Sequence, residues 1–274
     1  MLKFSILIPT RGRPILFHRC IESIYTHTTH KNEIEILVLC DNDDIEAQKY
    51  TADALRKWPQ LNMKILLRER SEFSNRDYYN YLGAQAQGEL VWIFADDLEL
   101  TKFNWDKIIW SGYQGFKVGR PDNCFCFSIK DNTPPPSHTL PKFPCFPMFT
   151  RECLSLFGWY LHPSPPNWGV DYIAYKIFQP LDRISQFHED NYINHISHHN
   201  HQVKEDETSL RIGRIFNRLK MRPEHSTDRI LGEEVPKLRA VLAKQIEDCL
   251  KGGCNNKKPT DTQNGENPVK GTTV

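Results

Sequence analysis

A doubly wound α/β fold, built on a mainly parallel sheet flanked by helices, is predicted by three features of this chain. Short apolar runs alternate with segments of helical periodicity over the first 97 residues, giving four strands separated by helices. The fourth run, Leu90 to Phe94, is five apolar residues in a row, the pattern of a strand buried on both faces of a parallel sheet. It leads into Asp96 and Asp97, and the second run leads into Asp41. Carboxylates therefore fall at strand carboxyl ends, where open α/β sheets bind ligands.

Taken in order, each element follows from local pattern. Phe4 to Ile8 (FSILI) is the first strand. After the loop Pro9 to Arg13, Pro14 suits the first turn of a helix carrying Leu16, Cys20, Ile21 and Ile24 at helical spacing. Ile34 to Leu39 is the second strand, and it runs into Cys40-Asp41-Asn42-Asp43-Asp44. A helix near Glu46 to Lys57 leads to the third strand, Met63 to Leu67. Ser74 to Ala86 reads as helix, and Gly88 turns the chain into the fourth strand. Between Pro121 and Pro166 stand ten prolines, three of them consecutive at Pro134 to Pro136, which predicts irregular loops around a site. Within that stretch Cys124 and Cys126 alternate with Phe125 and Phe127, which is strand periodicity rather than zinc spacing. Asp171 to Phe178 is helical, and Glu233 to Leu250 is an amphipathic closing helix. From Gly252 onward the polar, Gly-, Asn- and Thr-rich chain predicts a disordered tail.

Composition narrows the partners. A net charge of +1 in 274 residues supplies no strong field for nucleic acid or an anionic membrane. With 39% hydrophobic residues and a mean hydropathy of −0.56, the chain reads as an ordinary soluble protein with a full core. No run approaches the roughly 18 apolar residues of a membrane span. The N-terminal apolar run stops at Pro9, short of a signal peptide. A cytoplasmic protein, free or peripheral to a membrane, is expected. Eight scattered cysteines without a C-x-x-C spacing read as reduced, buried small hydrophobes.

The motifs SILIPTRGRP, ILVLCDNDD and FSNRDYYNYLGAQAQGELVWIFADD together resemble the GT-A glycosyltransferases, family 2 in particular. The likeness covers residues 3–100 well and 145–200 loosely. It implies a GT-A fold with a nucleotide-sugar half at residues 1–110 and an irregular acceptor and metal-site half at 111–225. The closing helix at 226–251 and the tail at 252–274 complete the organisation. By the same resemblance Asp41 holds the nucleotide base or ribose, and Thr10 and Arg11 line that pocket. Asp97 binds the metal, Mn²⁺ or Mg²⁺, on the diphosphate, and Asp96 faces the ribose or sugar. Asn80 matches the helix asparagine of the pattern, and Asp171 falls at the general base. Two departures stand out: Ala95 replaces the first aspartate of D-x-D, and Tyr79 stands where arginine is usual, with Arg76 one turn earlier as a substitute.

Read from the residues alone, Asp171 is an N-cap for the helix through Tyr172 and Tyr175; the resemblance makes it the base. Among His188, His195, His198, His199 and His201, one functional histidine is expected, His195 or His198, supplying the missing metal ligand or touching a phosphate, with the others solvated. Arg211, Arg214 and Arg218 share a helix face suited to a diphosphate, an anionic acceptor or a nucleic-acid backbone, or simply to solvent. Trp159, Tyr160, Trp168 and Tyr172 surround Asp171; half are expected in the core and the rest on a sugar face.

These readings converge on an inverting, metal-assisted glycosyltransferase that takes a nucleotide sugar, a UDP-sugar by the resemblance, and an acceptor glycan or other hydroxyl-bearing molecule. A nucleic-acid acceptor is disfavoured by the near-neutral charge. Two alternatives stay open. One is a non-catalytic GT-A-like module that binds a glycan or a partner, kept alive by Ala95. The other is a nucleotidyltransferase, which the single glycine of Thr10-Arg11-Gly12-Arg13 supports poorly.

Overall fold

The computed structural model describes residues 1–132, 140–187, 192–196, 207–219 and 222–254. Its first half alternates as the apolar pattern dictates: β1 (Phe4–Thr10), α1 (Pro14–His27), β2 (Ile34–Asp41), α2 (Ile45–Lys57), β3 (Met63–Arg68), α3 (Asn80–Gln85) and β4 (Leu90–Ile93). A single widened turn of π geometry at Asn75–Tyr79 leads into α3, so the helix read from the sequence begins with an irregular turn. The chain continues through β5 (Leu98–Leu100), α4 (Trp105–Lys117), β6 (Cys126–Ile129), β7 (Met148–Thr150), α5 (Glu152–Phe157), α6 (Val170–Phe178), β8 (Ile184–Phe187), β9 (Ile193–His195) and α7 (Glu207–Leu219). A short turn, α8 (Thr227–Arg229), precedes the closing helix α9 (Val235–Leu250).

Seven strands form one sheet in the order β3-β2-β1-β4-β7-β6-β8, and β5 pairs with β9 in a second, small sheet. β1 is parallel to both β2 and β4, with Ile6 opposite Ile36 and Trp92, while β7 runs antiparallel to its neighbours β4 and β6. Winding outward from β1 through β2 to β3, and then back to β4 on the other side, puts the topological switch between β1 and β4. Their carboxyl ends open a crevice there.

Alternation along the strands divides the core between the two faces. Phe4, Ile6, Ile8, Ile36 and Val38 meet Phe17 and Ile21 of α1, Ala47 of α2, and Trp105 and Ile109 of α4. Leu7, Leu37, Leu39, Val91 and Ile93 meet Leu82 of α3, Cys153 of α5, Ile173 and Ile177 of α6, and Leu242 of α9. The proline-rich middle therefore adds strands to the same sheet.

One expectation is corrected. Cys249 and Cys254 form a disulfide, because the turn after α9 folds the chain back until their Cα atoms are 4.2 Å apart. The other six cysteines form no disulfide; five are buried and Cys145 is half-buried. The tail beyond Cys254 and the Pro134 to Pro136 run lie outside the described residues. Among the described residues no helix is long and apolar enough to cross a membrane.

Candidate active site

A cavity of about 490 Å³ opens at the switch point and is lined by residues from both halves of the chain. The end of β1 and the loop after it contribute Thr10, Arg11 and Arg13 to its lining. Gly12 sits at φ +62°, a left-handed conformation that glycine adopts without steric cost, and its amide donates to Asp44 Oδ2 at 2.9 Å. Asp44 also caps α2 by accepting from the Ala47 amide at 2.9 Å, so one carboxylate ties two loops together.

Asp41, at the end of β2, is almost fully buried. Its Oδ2 accepts from Arg11 Nη1 at 2.8 Å and its Oδ1 from the Tyr78 hydroxyl at 2.7 Å. Arg11 also pairs with Asp43 at 2.5 Å, and these carboxylates hold its guanidinium above the usual arginine range. Tyr78 reaches Asp41 from the irregular turn before α3. Such turns are frequent where a side chain must be re-aimed at a site.

Asp96 and Asp97 follow β4. Thr10 Oγ1 donates to Asp96 Oδ2 at 2.8 Å, and the Tyr50 hydroxyl shares that threonine at 2.7 Å. Arg13 Nη1 lies 3.1 Å from Asp96 Oδ1 and 3.2 Å from Asp97 Oδ2, so one nitrogen bridges both carboxylates. Burial pushes the Asp96 carboxyl up to about 6; Arg13 opposes that rise and Asp97 adds to it. His195 arrives on β9, directly opposite Leu98 of β5, and its Nε2 is 3.8 Å from Asp97 Oδ1. The Phe146 ring and its imidazole pack in a T-shaped pair, with centroids 5.0 Å apart. Ala95 lines the same cavity.

Asp171 faces the cavity from the first turn of α6. Gly169, at φ +88°, takes the N-cap position, so Asp171 is not the cap. Its carboxylate accepts from the Tyr172 amide at 2.8 Å, and burial pushes it up to about 6. Trp168, 45% exposed, lines the cavity beside it. The other three aromatics pack elsewhere: Tyr160 is buried in the core, Trp159 stacks on Phe157, and Tyr172 stacks on Tyr175. On α7, Arg211 lines the cavity, and Arg218, which does not, pairs with Glu72 at its edge.

The cavity thus gathers Thr10, Arg11, Asp41, Asp96, Asp97, Asp171 and His195. Two predicted residues are placed elsewhere. Asn80 spends its amide on the chain opposite: Nδ2 donates to Leu161 O at 2.7 Å, and Oδ1 accepts the Tyr160 and Leu161 amides, each at 3.0 Å. Arg76 pairs with Asp77 at 2.9 Å and lies over the Phe73 ring, outside the cavity lining. His198 lies outside the described residues, as do His188, His199 and His201. Sequence reasoning missed Arg13 and Tyr78. Arg13 carried a signal in its position between the strand-end loop and Pro14, but its partners lie far away in sequence.

No family model matches the chain, and no curated protein matches it. Solved structures do. TarS of S. aureus in complex with UDP superposes with a TM-score of 0.55 at 16% identity, covering 91% of this chain and 72% of that one. The mannosyltransferase PcManGT of Pyrobaculum calidifontis, in complex with GDP-Man and Mn²⁺, gives 0.51 at 14%, covering 92% and 76%. This chain has the GT-A fold. GalNAc-T7 with UDP, GalNAc and Mn²⁺ gives 0.54 at 16% and covers 90% of this chain but 54% of its own. In this GT-A chain the carboxylates Asp41, Asp96 and Asp97 stand at the switch-point crevice, and Asp171 lines the same cavity from α6.

Proposed function

We propose that this protein is an inverting glycosyltransferase that moves a sugar from a nucleotide-sugar donor, a UDP-sugar, to an acceptor hydroxyl. The reading is carried by one observation: a single cavity joins three strand-end carboxylates to a fourth, Asp171, delivered by a different part of the chain. The solved structures that share the fold are described with UDP, UDP-GlcNAc or GDP-Man, which supports a nucleotide-sugar donor.

In this reading Asp41 receives the base or ribose, with Thr10 and Arg11 alongside. Arg11 and Tyr78 fix its orientation and leave further lone pairs for the ligand. The donor set beside Asp97 fits a hard divalent cation. Among the described residues no group of three His, Cys, Asp or Glu side chains gathers, yet Asp97 and His195 face each other at 3.8 Å. Mg²⁺ and Mn²⁺ are commonly held by one or two protein ligands, with water and substrate phosphates completing the shell. Asp97 and His195 would hold the ion, and Asp96, facing the ribose or sugar, would orient the donor. When bound, the cation offsets charge developing on the departing diphosphate.

Asp171 accepts the proton of the attacking hydroxyl. A base held near 6 is ionised at neutral pH, yet basic enough to take that proton as the new bond forms. Base on one element and diphosphate site on another permit attack opposite the leaving group, which inverts the anomeric centre. Trp168 offers an apolar face for the sugar or acceptor. The two halves named from the sequence, and Mn²⁺ or Mg²⁺ as cofactor, belong to this proposal. The test is release of nucleoside diphosphate from a panel of UDP- and GDP-sugars with Mn²⁺ and candidate glycan acceptors. Turnover by the native chain and none by Asp171→Asn supports the reading; binding of a glycan with no turnover on any donor supports the binding-module alternative.

A further inference from the structure

The bridge made by Arg13 carries an inference that rests on the nucleotide-sugar reading and goes beyond it. Gly12 turns the loop and Pro14 starts α1, which confines Arg13 between them; its side chain is 12% exposed. Its two carboxylate partners are as enclosed, at 5% for Asp96 and 15% for Asp97. A single nitrogen lies within 3.2 Å of one oxygen from each, so one positive charge serves both carboxylates. The arginine charge cannot be titrated away, so the pair is already partly neutralised before any ion arrives. A guanidinium also matches phosphate oxygens with its donor fork, which gives it a second partner once a diphosphate enters the crevice.

We propose that Arg13 is an exchangeable counter-cation: it pairs with Asp96 Oδ1 and Asp97 Oδ2 before ligand binds and moves to the donor diphosphate, withdrawing its positive charge from beside the Asp97 and His195 pair that would hold the metal. Metal and nucleotide then bind cooperatively. By linkage, nucleotide raises metal affinity by the same factor as metal raises nucleotide affinity.

The experiment is calorimetric titration of Mn²⁺, UDP and GDP, singly and together, into the native chain and into Arg13→Gln and Arg13→Lys. Circular dichroism and thermal melts establish folding, and Arg13→Lys keeps a charge should Arg13→Gln fail to fold. In the native chain Mn²⁺ alone binds weakly and tightens about tenfold or more with saturating nucleotide. In Arg13→Gln, Mn²⁺ alone binds about tenfold more tightly, metal-free nucleotide about tenfold more weakly, and the coupling falls to a few-fold. Arg13→Lys, a point charge without the fork, falls between the two. Mn²⁺ binding that is no tighter in either folded variant than in the native chain overturns the inference, leaving Arg13 a fixed structural ion pair. Nucleotide binding to none of the chains overturns the transferase reading and the move to a diphosphate, while the Mn²⁺ titration still decides whether Arg13 holds the carboxylates.

Discussion

His195 Nε2 stands 3.8 Å from Asp97 Oδ1 because β9 lies antiparallel on β5 with His195 opposite Leu98. The contact is locked by backbone: the Ile196 amide donates to Asp97 O at 2.8 Å, and the His195 amide donates to Asn132 Oδ1 at 2.6 Å. A two-stranded ribbon thus presents a distant imidazole to the strand-end carboxylate. His195→Ala is expected to remove most of the Mn²⁺ enhancement of nucleotide binding, about tenfold or more, and to leave metal-free binding unchanged. Calorimetry with and without Mn²⁺ measures it; an unchanged enhancement removes His195 from the metal site.

Asp171→Asn separates the base from a structural carboxylate. Turnover should fall by about 10²–10⁴-fold with nucleotide affinity unchanged. Because burial disfavours its charge, neutralising Asp171 should also stabilise the fold at neutral pH by about 1–2 kcal/mol, read as a rise in Tm. The helix N-terminus and the Tyr172 amide keep the gain below what burial alone would give. A fall in Tm would mark the residue as structural.

The pH profile follows from the same group. A carboxyl raised to about 6 stays protonated to higher pH in the folded chain than in the unfolded one. Its protonated form therefore supports stability below the unfolded value, and that support is lost as pH rises through about 6. Activity runs the other way, since the base must be ionised: kcat should climb with pH through about 6. Asp96, also raised to about 6, should move nucleotide binding rather than kcat. A kcat profile flat from acid to neutral pH contradicts Asp171 as base.

Arg211 and Asn80 make opposite predictions. Arg211 lines the cavity, and no hydrogen bond or ion pair links it to another described residue; burial, with Arg70 nearby, presses its pKa down. Arg211→Ala should therefore weaken nucleotide or acceptor binding about tenfold at no cost in Tm. Asn80→Ala should cost about 1–3 kcal/mol of stability by stranding the Tyr160 and Leu161 backbone, and leave nucleotide affinity intact. Thermal melts and titrations on both variants check the pair.

Local signals were legible and non-local pairings were not. Five apolar residues stopped by carboxylates announced β4 and its aspartates, and the Asp41 strand end was as plain, because burial on both faces leaves a continuous apolar run. Asn80 sits on the right helix, but no local pattern reveals that residues 160–161 arrive to occupy its amide. Arg13 could be read only as a loop cation, since its meaning lies in two aspartates at the end of another strand. The histidine-rich segment suggested a ligand, and the β5–β9 register, which sequence does not print, brings His195 to Asp97. The Cys249–Cys254 closure was missed because spacing alone does not show a turn after a helix.

The central claim is that the switch-point cavity binds a nucleotide-sugar donor through Asp41 and, with metal, through Asp97. Its most direct test is titration of UDP, GDP, CDP and TDP into the folded chain with and without Mn²⁺, repeated on Asp41→Ala and Asp97→Ala. UDP is expected to bind selectively and more tightly with Mn²⁺, Asp41→Ala to lose affinity, and Asp97→Ala to lose the Mn²⁺ enhancement. Folded protein that binds none of the four nucleotides, with or without Mn²⁺, would contradict that claim.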